Sequence, residues 1–252
     1  MHSVLITGAG SGIGAGLAME LARGGDHIFV SDLNLDGAEA VAARIRAAGG
    51  SAEPVSLDVT SEKSVGAAVA SLSRPVDVLI NNAGLQFVAP LEEFPLPQWE
   101  QLIHVMLTGA VALTRAVLPG MRARGFGRII NMGSIHSVIA SPFKSAYVAA
   151  KHALVGFSKV IALETANTDI TVNTLCPSYV KTPLVDKQVA DQARVRGMPE
   201  AEVISQIMLK PMPKGVFIGI DELVGVTTFL VSPAARNITG QTIAIDGGWT
   251  VQ

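Results

Sequence analysis

The stretch TGAGSGIG at Thr7–Gly14 decides the fold, because it follows the apolar run Ser3–Thr7 and precedes a segment of helical period. Glycines have no Cβ, so the backbone can turn tightly and approach an anion closely. The N–H groups and the dipole at the start of the next helix favour a negative charge. The stretch predicts a strand–turn–helix unit that binds the pyrophosphate of a dinucleotide, with a plain tight connection as the alternative. The residues predicted to contact the dinucleotide here are Gly8, Ser11, Gly12, Ile13 and Gly14.

The rest of the chain continues the alternation that begins at this turn. Short β-branched runs alternate with longer Ala- and Leu-rich segments, as in the βαβ units of a parallel sheet. The pattern predicts an α/β fold, namely a doubly wound, Rossmann-type, seven-stranded parallel sheet with helices on both faces. The predicted strands are Ser3–Thr7, His27–Ser31, Ala52–Leu57, Val76–Ile80, Gly127–Met132, Ile170–Cys176 and Thr242–Ile245. The predicted helices are Ile13–Arg23, Asp36–Ala48, Glu62–Leu72, Trp99–Arg124, Ser145–Thr165 and Glu222–Val231.

Length and composition are compatible with one domain. A chain of 252 residues with 49% hydrophobic residues can bury a large core. We therefore predict a single dinucleotide-binding and catalytic domain over 1–252. The segment Thr182–Gly219 breaks the alternation, since it is rich in Lys, Gln, Met and Pro. Because it follows a strand end, we predict that 182–219 forms a mobile helical lid over the substrate.

Charge and cysteine content argue against several classes of protein. The formal net charge is −2 with mixed signs along the chain, which leaves no basic face for nucleic acid. Cys176 is the only cysteine, so no internal disulfide forms, and no Cys/His cluster has the spacing of a metal site. There is no signal-peptide pattern, and no uncharged run approaches the roughly 18 residues of a membrane span. We expect a cytoplasmic protein with no metal and no membrane partner.

Acidic and amide residues follow the next strands, at the edge where open α/β sheets bind ligands. Asp32, with Leu33 beside it, lies about twenty residues after the glycine turn, at the end of the second predicted strand. Its carboxylate can accept hydrogen bonds from the ribose hydroxyls of NAD and repel a 2′-phosphate, which predicts NAD rather than NADP. An N-cap for the next helix is the alternative role. The residues predicted to flank the adenine and complete the cofactor site are Asp58, Val59, Asn82, Ala83 and Gly84.

Three residues form a candidate catalytic group. Tyr147 and Lys151 are four residues apart in a predicted helix, so their side chains lie one turn apart on one face. An ammonium beside a tyrosine stabilises the phenolate and lowers its pKa from about 10. Tyr147 would then exchange a proton with the substrate oxygen, while Ser134 at the end of the fifth strand hydrogen-bonds that oxygen. An exposed pair on a solvated helix is the alternative, but the order of these motifs favours one shared cleft.

These motifs together resemble those of the short-chain dehydrogenase/reductase family, over essentially the whole chain. The matching residues are Thr7-Gly8-x-x-x-Gly12-x-Gly14, Asn81-Asn82-Ala83-Gly84, Ser134 with Tyr147-x-x-x-Lys151, and Cys176-Pro177 leading to Thr182-Pro183. The resemblance implies an NAD-dependent oxidoreductase and a homotetramer. It also implies that Tyr147 and Lys151 contact the cofactor, with Lys151 on the nicotinamide ribose. The loop residues that it places on the carboxamide are Pro177, Val180 and Thr182.

One residue departs from the family pattern. The family usually has an Asn in the long helix after the fourth strand, where it supports a water-linked proton relay to the lysine, and Met106 occupies that position. A thioether is only a weak hydrogen-bond acceptor and does not replace a carboxamide. The alternatives are catalysis through a rearranged relay, reduced activity, or a catalytically impaired NAD-binding protein.

Four polar residues are predicted to surround a small-molecule substrate: Gln86, His136, Lys144 and Gln188. Lys144 supplies a positive charge and the others supply donors, a set that suits a carboxylate better than a large apolar ring. Their positions resemble the D-3-hydroxybutyrate dehydrogenase branch of the family. That resemblance implies reversible oxidation of (R)-3-hydroxybutyrate to acetoacetate.

Two aromatic residues complete the predicted substrate pocket, which also includes Ser134 and Tyr147. Tyr179 offers one wall, although that branch usually has Gly-Trp where this chain has Ser178-Tyr179. Trp249 offers another wall or packs at a subunit interface. Because of the altered wall, a related 3-hydroxy acid stays an alternative, and another 3-oxoacyl or cyclic ketone substrate is the wider alternative.

Overall fold

The computed structural model describes residues 1–251, and its centre is a parallel sheet of seven strands in the order β3-β2-β1-β4-β5-β6-β7. The order reverses between β1 and β4, which opens a crevice at the carboxyl ends of these strands. This confirms the predicted doubly wound α/β fold. Gln252, the final residue of the predicted domain, lies outside the described residues. The strands are β1 (Ser3–Thr7), β2 (His27–Asp32), β3 (Ser51–Ser56), β4 (Val78–Asn81), β5 (Phe126–Met132), β6 (Asp169–Pro177) and β7 (Thr242–Ile245).

The apolar runs in the strands supply two cores, one on each face of the sheet. Successive side chains of a strand point to opposite faces. In β1, Ile6 therefore joins one buried cluster while Leu5 joins the other. In β2, Ile28 and Phe29 divide in the same way. Because both faces are buried, these strands read as continuous apolar runs rather than as an alternation.

Helices cover both faces, and side-chain caps mark where several of them begin. Asn34 accepts a hydrogen bond from the Gly37 N–H, and Ser61 accepts one from the Ser64 N–H. Each cap satisfies an N–H group that the first helical turn leaves without a partner. The helices are α1 (Gly12–Arg23), α2 (Leu35–Ala47), α3 (Glu62–Ser71), α4 (Leu96–Ile103), α5 (Gly109–Arg124), α6 (Ser145–Glu164), α7 (Pro183–Arg196), α8 (Glu200–Glu202) and α9 (Ile220–Val231).

The predicted helix Trp99–Arg124 begins earlier, at Leu96, and is interrupted. A π-helical turn, His104–Thr108, lies between α4 and α5 and contains the buried Met106. Apolar spacing predicts a helix without distinguishing a π-helical turn from an α-helix, so the sequence pattern does not show the interruption. Such turns are frequent at functional sites.

The predicted lid segment 182–219 folds as helices against the end of the sheet. It contains α7, the short α8 and a second π-helical turn, Val203–Leu209. Val185 and Met208 pack with Tyr179 in one buried cluster. The segment is therefore helical, as expected, while its mobility and its role as a lid stay predictions.

Two helical stretches, Leu96–Arg124 and Ser145–Glu164, are long and apolar enough by length and composition to cross a membrane. In this fold they lie in the helical layers, with 39% and 33% of their most apolar windows buried. Helices that pack in the core of a globular domain have the same length and composition. The finding is therefore weak evidence for a membrane partner.

We expect Gly14→Ala to lower the free energy of unfolding, because a Cβ there would lie 2.5 Å from the Gly8 carbonyl oxygen and 2.6 Å from Asn82 Nδ2. Overpacking of this kind costs about 1–3 kcal/mol, measurable by urea denaturation. Gly66→Ala in α3 is the matched control, since a Cβ at Gly66 meets no atom within 4 Å. The control should stabilise the protein by roughly 0.5–1 kcal/mol, and equal effects of the two substitutions would contradict the close packing.

Candidate active site

A cleft of about 480 Å³ opens at the carboxyl ends of the strands, a volume in the range of small-molecule pockets. Most residues predicted for the cofactor line it, namely Gly8, Ser11, Gly12, Ile13, Asp32, Leu33, Asp58, Val59, Asn82, Ala83, Gly84, Pro177, Val180 and Thr182. Most catalytic and substrate candidates line it as well, namely Ser134, His136, Lys144, Tyr147, Lys151, Tyr179 and Gln188. Gly14, Gln86 and Trp249 are not part of its walls.

The glycine turn fits the phosphates of a dinucleotide. Gly8 and Gly12 have φ of +63° and +56°, a conformation that L side chains rarely adopt. A Cβ at Gly8 would lie 2.9 Å from the Cα of Ala83. The Ser11 side chain does not cap α1, and the first turn of α1 carries no acidic residue. The N–H groups at this helix start therefore face no competing side-chain acceptor when an anion approaches.

Gly14 has a different role from the predicted one. It faces the Gly8 carbonyl and Asn82 Nδ2 rather than the cleft, so its missing Cβ permits close packing of α1 on the turn. Asn82 also braces this turn, since its Nδ2 donates to the carbonyls of Thr7, at 2.9 Å, and Gly8, at 3.1 Å. The Thr7 hydroxyl oxygen in turn accepts from the backbone N–H groups of Asn82 and Ala83. Sequence reasoning missed this brace, which ties β1 to the end of β4.

Asp32 links the glycine turn to the end of β2. One carboxylate oxygen accepts from the Gly10 N–H at 2.9 Å and the other from the Asn34 N–H at 2.9 Å. The cap of α2 is Asn34 rather than Asp32, so the alternative role for Asp32 is wrong. The carboxylate is thus held at the cleft wall, where each oxygen keeps a lone pair for a further donor.

The three catalytic candidates come from two neighbouring elements. Tyr147 and Lys151 lie one turn apart on α6, and the Lys151 ammonium is 5.6 Å from the centre of the Tyr147 ring. Lys151 donates a hydrogen bond to the Met132 carbonyl at the end of β5. Ser134 comes two residues after the end of β5, and its side chain lies beside the Tyr147 phenol, whose pKa it lowers. The structure therefore places all three side chains in one contact group, as the sequence predicts.

The pKa of Tyr147 moves in the direction opposite to the one expected. Burial raises the pKa of Tyr147 to about 12, and the hydrogen bond from Ser134 opposes this only in part. Burial also lowers the pKa of Lys151 to about 8. Loss of water disfavours the charged form of both groups and is the largest effect on each pKa. At neutral pH the phenol is therefore protonated, a state suited to proton donation.

A chain of buried polar side chains fixes α6 on the sheet. Asn81 Nδ2 donates to Asn131 Oδ1, and Asn131 Nδ2 donates to the Ser158 hydroxyl, each at 2.8 Å. The Thr174 hydroxyl donates to the same Ser158 oxygen at 2.8 Å. The chain joins β4, β5 and β6 to α6. It sets the position of α6, and therefore of Tyr147, relative to the strand ends.

Met106, at the position that we align with the family's Asn, lies in an apolar cluster. It is buried with Ala146 and Ala150 of α6, and its Sδ would lie 3.7 Å from a Cβ at Gly84. Its thioether therefore fills apolar space beside the catalytic helix. The direct bond from Lys151 to the Met132 carbonyl is the polar contact that holds the lysine instead.

Lys144 is a buried lysine in the site. Its side chain is 1% exposed, and Nζ donates to the Tyr179 hydroxyl oxygen at 3.1 Å and to Gln188 Oε1 at 3.3 Å. Burial, with a smaller effect from the nearby Arg196, lowers the pKa of Lys144 to about 7. Across residues 1–251, no carboxylate pairs with Lys144, since none of the ion pairs of that region includes it.

His136 contributes a neutral polar group near this ammonium, while Gln86 is a buried amide outside the cleft walls. His136 hydrogen-bonds the Ser141 hydroxyl through Nε2 at 2.8 Å. Burial, together with the charge of Lys144, lowers the pKa of His136 well below its usual value, so the ring is neutral. Gln86 is buried, and its Nε2 has no hydrogen-bond partner within the described part of the chain. A buried amide without a partner is costly and suits a site that receives an acceptor.

Aromatic rings form one wall around this polar group. The rings of Tyr179 and Trp249 stack at 5.9 Å, and the His136 ring meets each of them edge-on. Trp249 therefore lies behind Tyr179 rather than on the cleft wall, which modifies the predicted role of Trp249. Tyr147 packs edge-on against His136 at 6.0 Å.

Several cleft residues were not predicted from the sequence. Apart from the polar Gln101, they are apolar or small, and only their positions in helices or near strand ends could have indicated them: Leu57, Thr60, Leu85, Gln101, Val105, Met132, Gly133, Ile135, Ser178, Leu184 and Val185. No group of three or more His, Cys, Asp or Glu side chains within residues 1–251 is placed to hold a metal ion.

The family model described as short chain dehydrogenase matches residues 2–193. This range contains the glycine turn, Asp32, Ser134, Tyr147 and Lys151. The chain belongs to the short-chain dehydrogenase/reductase family, and it is an NAD(P)-dependent oxidoreductase.

Relatives and solved structures match the chain over nearly its whole length. It is 42% identical over 255 residues to the D-beta-hydroxybutyrate dehydrogenase of Rhizobium meliloti (strain 1021), with 99% of each chain covered. A crystal structure of an actinorhodin polyketide ketoreductase variant with NADPH matches at a TM-score of 0.94 and 33% identity, covering 98% of this chain and 97% of that chain. The NAD+-bound xylitol dehydrogenase matches at a TM-score of 0.93 and 32% identity, covering 98% of each chain.

Met106→Asn tests whether position 106 is the relay position. The amide would be buried among apolar side chains, so we expect a loss of about 1–3 kcal/mol in the free energy of unfolding, together with a higher turnover number of the folded protein. Met106→Leu is the control, since a volume-conserving apolar exchange costs less than about 1.5 kcal/mol and adds no polar group. Loss of both turnover and folding in Met106→Asn would show that 106 is not the position of the family's Asn.

Proposed function

We propose that this protein reversibly oxidises a small 3-hydroxy acid, (R)-3-hydroxybutyrate, to acetoacetate, with NAD as the cofactor. Lys144 carries the proposal, because its buried ammonium has two neutral oxygen partners and no paired carboxylate among the described residues. An unpaired buried charge costs free energy. A substrate carboxylate would supply the missing negative charge, while a neutral ketone or alcohol would not.

Other donors around Lys144 suit the same anion. The neutral ring of His136 lines the same cleft as Lys144. Gln86, whose Nε2 has no hydrogen-bond partner within residues 1–251, was also predicted for this pocket but lies outside the cleft walls. A carboxylate is acceptor-only and takes up to about four hydrogen bonds. One cation with several neutral donors therefore favours a single carboxylate. The 42% identity to a D-beta-hydroxybutyrate dehydrogenase also supports this substrate class.

Ser134, Tyr147 and Lys151 are the proposed catalytic residues. A bound dinucleotide supplies the nicotinamide carbon that gives or takes the hydride. In reduction of the 3-oxo acid, Tyr147 gives its proton to the substrate oxygen while Ser134 donates a hydrogen bond to the same atom. Lys151, anchored on Met132, stabilises the resulting phenolate. In oxidation of the 3-hydroxy acid the steps run in reverse, and Tyr147 must first lose its proton before it accepts the one from the substrate hydroxyl.

Asp32 supports NAD over NADP. The solved structures that resemble this chain hold either NADPH or NAD+, so the argument for NAD depends on the local chemistry. The Asp32 carboxylate is fixed at the cleft wall by two backbone N–H groups. It can accept from ribose hydroxyls, and it repels a 2′-phosphate. The homotetramer and the cytoplasmic location stay predictions.

A turnover screen with NAD and NADP tests the proposed reaction. We expect the highest kcat/KM for NAD with (R)-3-hydroxybutyrate, above its methyl ester, the S enantiomer, a 3-oxoacyl thioester and a cyclic ketone. Equal rates on the acid and the ester would contradict the carboxylate, and a preference for NADP would contradict the role of Asp32. Tyr147→Phe is the control, expected to lower kcat by about 10²–10⁴-fold while still binding NADH. NADH binding without turnover on any substrate would indicate a catalytically impaired NAD-binding protein.

The affinity for the acid is expected to depend on pH through Lys144. Its pKa of about 7 means that the ammonium is present below neutrality and is lost as the pH rises through 7. The ratio of kcat/KM for the acid to that for the methyl ester should fall by about tenfold per pH unit above 7, since the substrate carboxylate stays ionised there. In Lys144→Met this ratio should be low at every pH. A wild-type ratio that is flat from pH 6 to 9 would contradict the role of Lys144.

A further inference from the structure

Tyr179 lines the cleft, and its hydroxyl lies next to the ammonium of Lys144. The Tyr179 side chain is 5% exposed and follows β6, at the position where the sequence departs from the related branch. Lys144 Nζ donates to the phenol oxygen at 3.1 Å and lies 5.1 Å from the centre of the ring. An ammonium has donors only, so the phenol oxygen is the acceptor in this contact.

The hydrogen of this hydroxyl is left for another acceptor. Within residues 1–251, the contacts of this hydroxyl are donated to its oxygen, by Lys144 and by the Gln192 side chain, whose effect lowers the pKa of Tyr179. Burial raises the pKa of Tyr179 to about 12, so the hydroxyl keeps its hydrogen at neutral pH. Tyr179 therefore presents a buried O–H donor directly beside a buried ammonium.

The surrounding side chains fix the direction of the phenol. Its ring stacks on Trp249 with an interplanar angle of 29°, and the His136 ring meets it edge-on at 6.5 Å. Gln192 of α7 lies beside the phenol, and its Oε1 accepts from Arg196 Nε at 3.3 Å. The hydroxyl is thus oriented before a ligand arrives, which lowers the entropy cost of binding.

We propose that the Tyr179 hydroxyl is a direct ligand of the substrate carboxylate and makes Tyr179 a residue that determines specificity for acids over neutral analogues. The proposal rests on the proposed function. One carboxylate oxygen would accept both from Lys144 and from the Tyr179 hydroxyl. A Phe at position 179 would lack the second donor. A neutral ester offers weaker acceptors at the same place and gains less from either donor.

Tyr179→Phe removes this donor while keeping the ring that stacks on Trp249. We expect KM for (R)-3-hydroxybutyrate to rise about tenfold or more, in line with one hydrogen bond to a charged group. The inhibition constant of acetate, which carries the carboxylate alone, should rise by the same factor. Values of kcat, of KM for the methyl ester and of Kd for NADH should change less than about threefold. Ser205→Ala, which removes an exposed hydroxyl from the lid segment, is the control and should leave all of them unchanged.

The outcomes separate this proposal from the proposed function. A wild-type enzyme with no preference for the acid over the ester would contradict both. A wild-type enzyme that prefers the acid, with KM and the acetate constant of Tyr179→Phe within twofold of wild type, overturns the role of Tyr179 alone. Circular dichroism checks that the variant folds. If it does not, Tyr179→Met keeps an apolar side chain against Trp249 without any hydrogen-bond donor, and the same rise in KM is expected.

Discussion

The chain of buried amides and hydroxyls between the strands and α6 is the constraint on which the site depends. Asn131 and Ser158 are its central links, and each bond runs from one element to the next. Since buried polar groups must find partners, these residues allow one register of α6 on the sheet. That register sets where Tyr147 and Lys151 stand relative to Ser134 at the end of β5.

Burial of the ionisable groups away from water is the main cause of their shifted pKa values in the cleft. Burial lowers the pKa of both Lys144 and Lys151 and raises that of Tyr147 and Tyr179. The two lysines nevertheless differ in their partners, because Lys151 donates to a backbone carbonyl whereas Lys144 donates to neutral side-chain oxygens. The site therefore has a protonated phenol, to which we assign proton transfer, and a buried ammonium without a paired carboxylate among residues 1–251, to which we assign the substrate carboxylate.

The fold and much of the site could be predicted from the sequence, because glycine turns and apolar strand runs are local signals. The strand bounds differ from the predicted ones by two residues or fewer, and the cleft collects the predicted polar residues at one sheet edge. The π-helical turn at His104–Thr108 and the brace from Thr7 were missed, since neither changes apolar spacing. The raised pKa of Tyr147 was missed because it depends on burial, which spacing does not report.

The position of the C-terminal turn has a practical consequence for protein engineering. Trp249 begins the short helical turn Trp249–Val251 and supports the aromatic wall, and the Gly247 carbonyl accepts from Lys214 in the lid segment. An affinity tag fused after this turn would start within a few residues of the substrate end. Met1 is 90% exposed and precedes β1. It therefore lies at the amino ends of the strands, on the side opposite the cleft. Tags and surface-immobilisation handles therefore belong at the amino end.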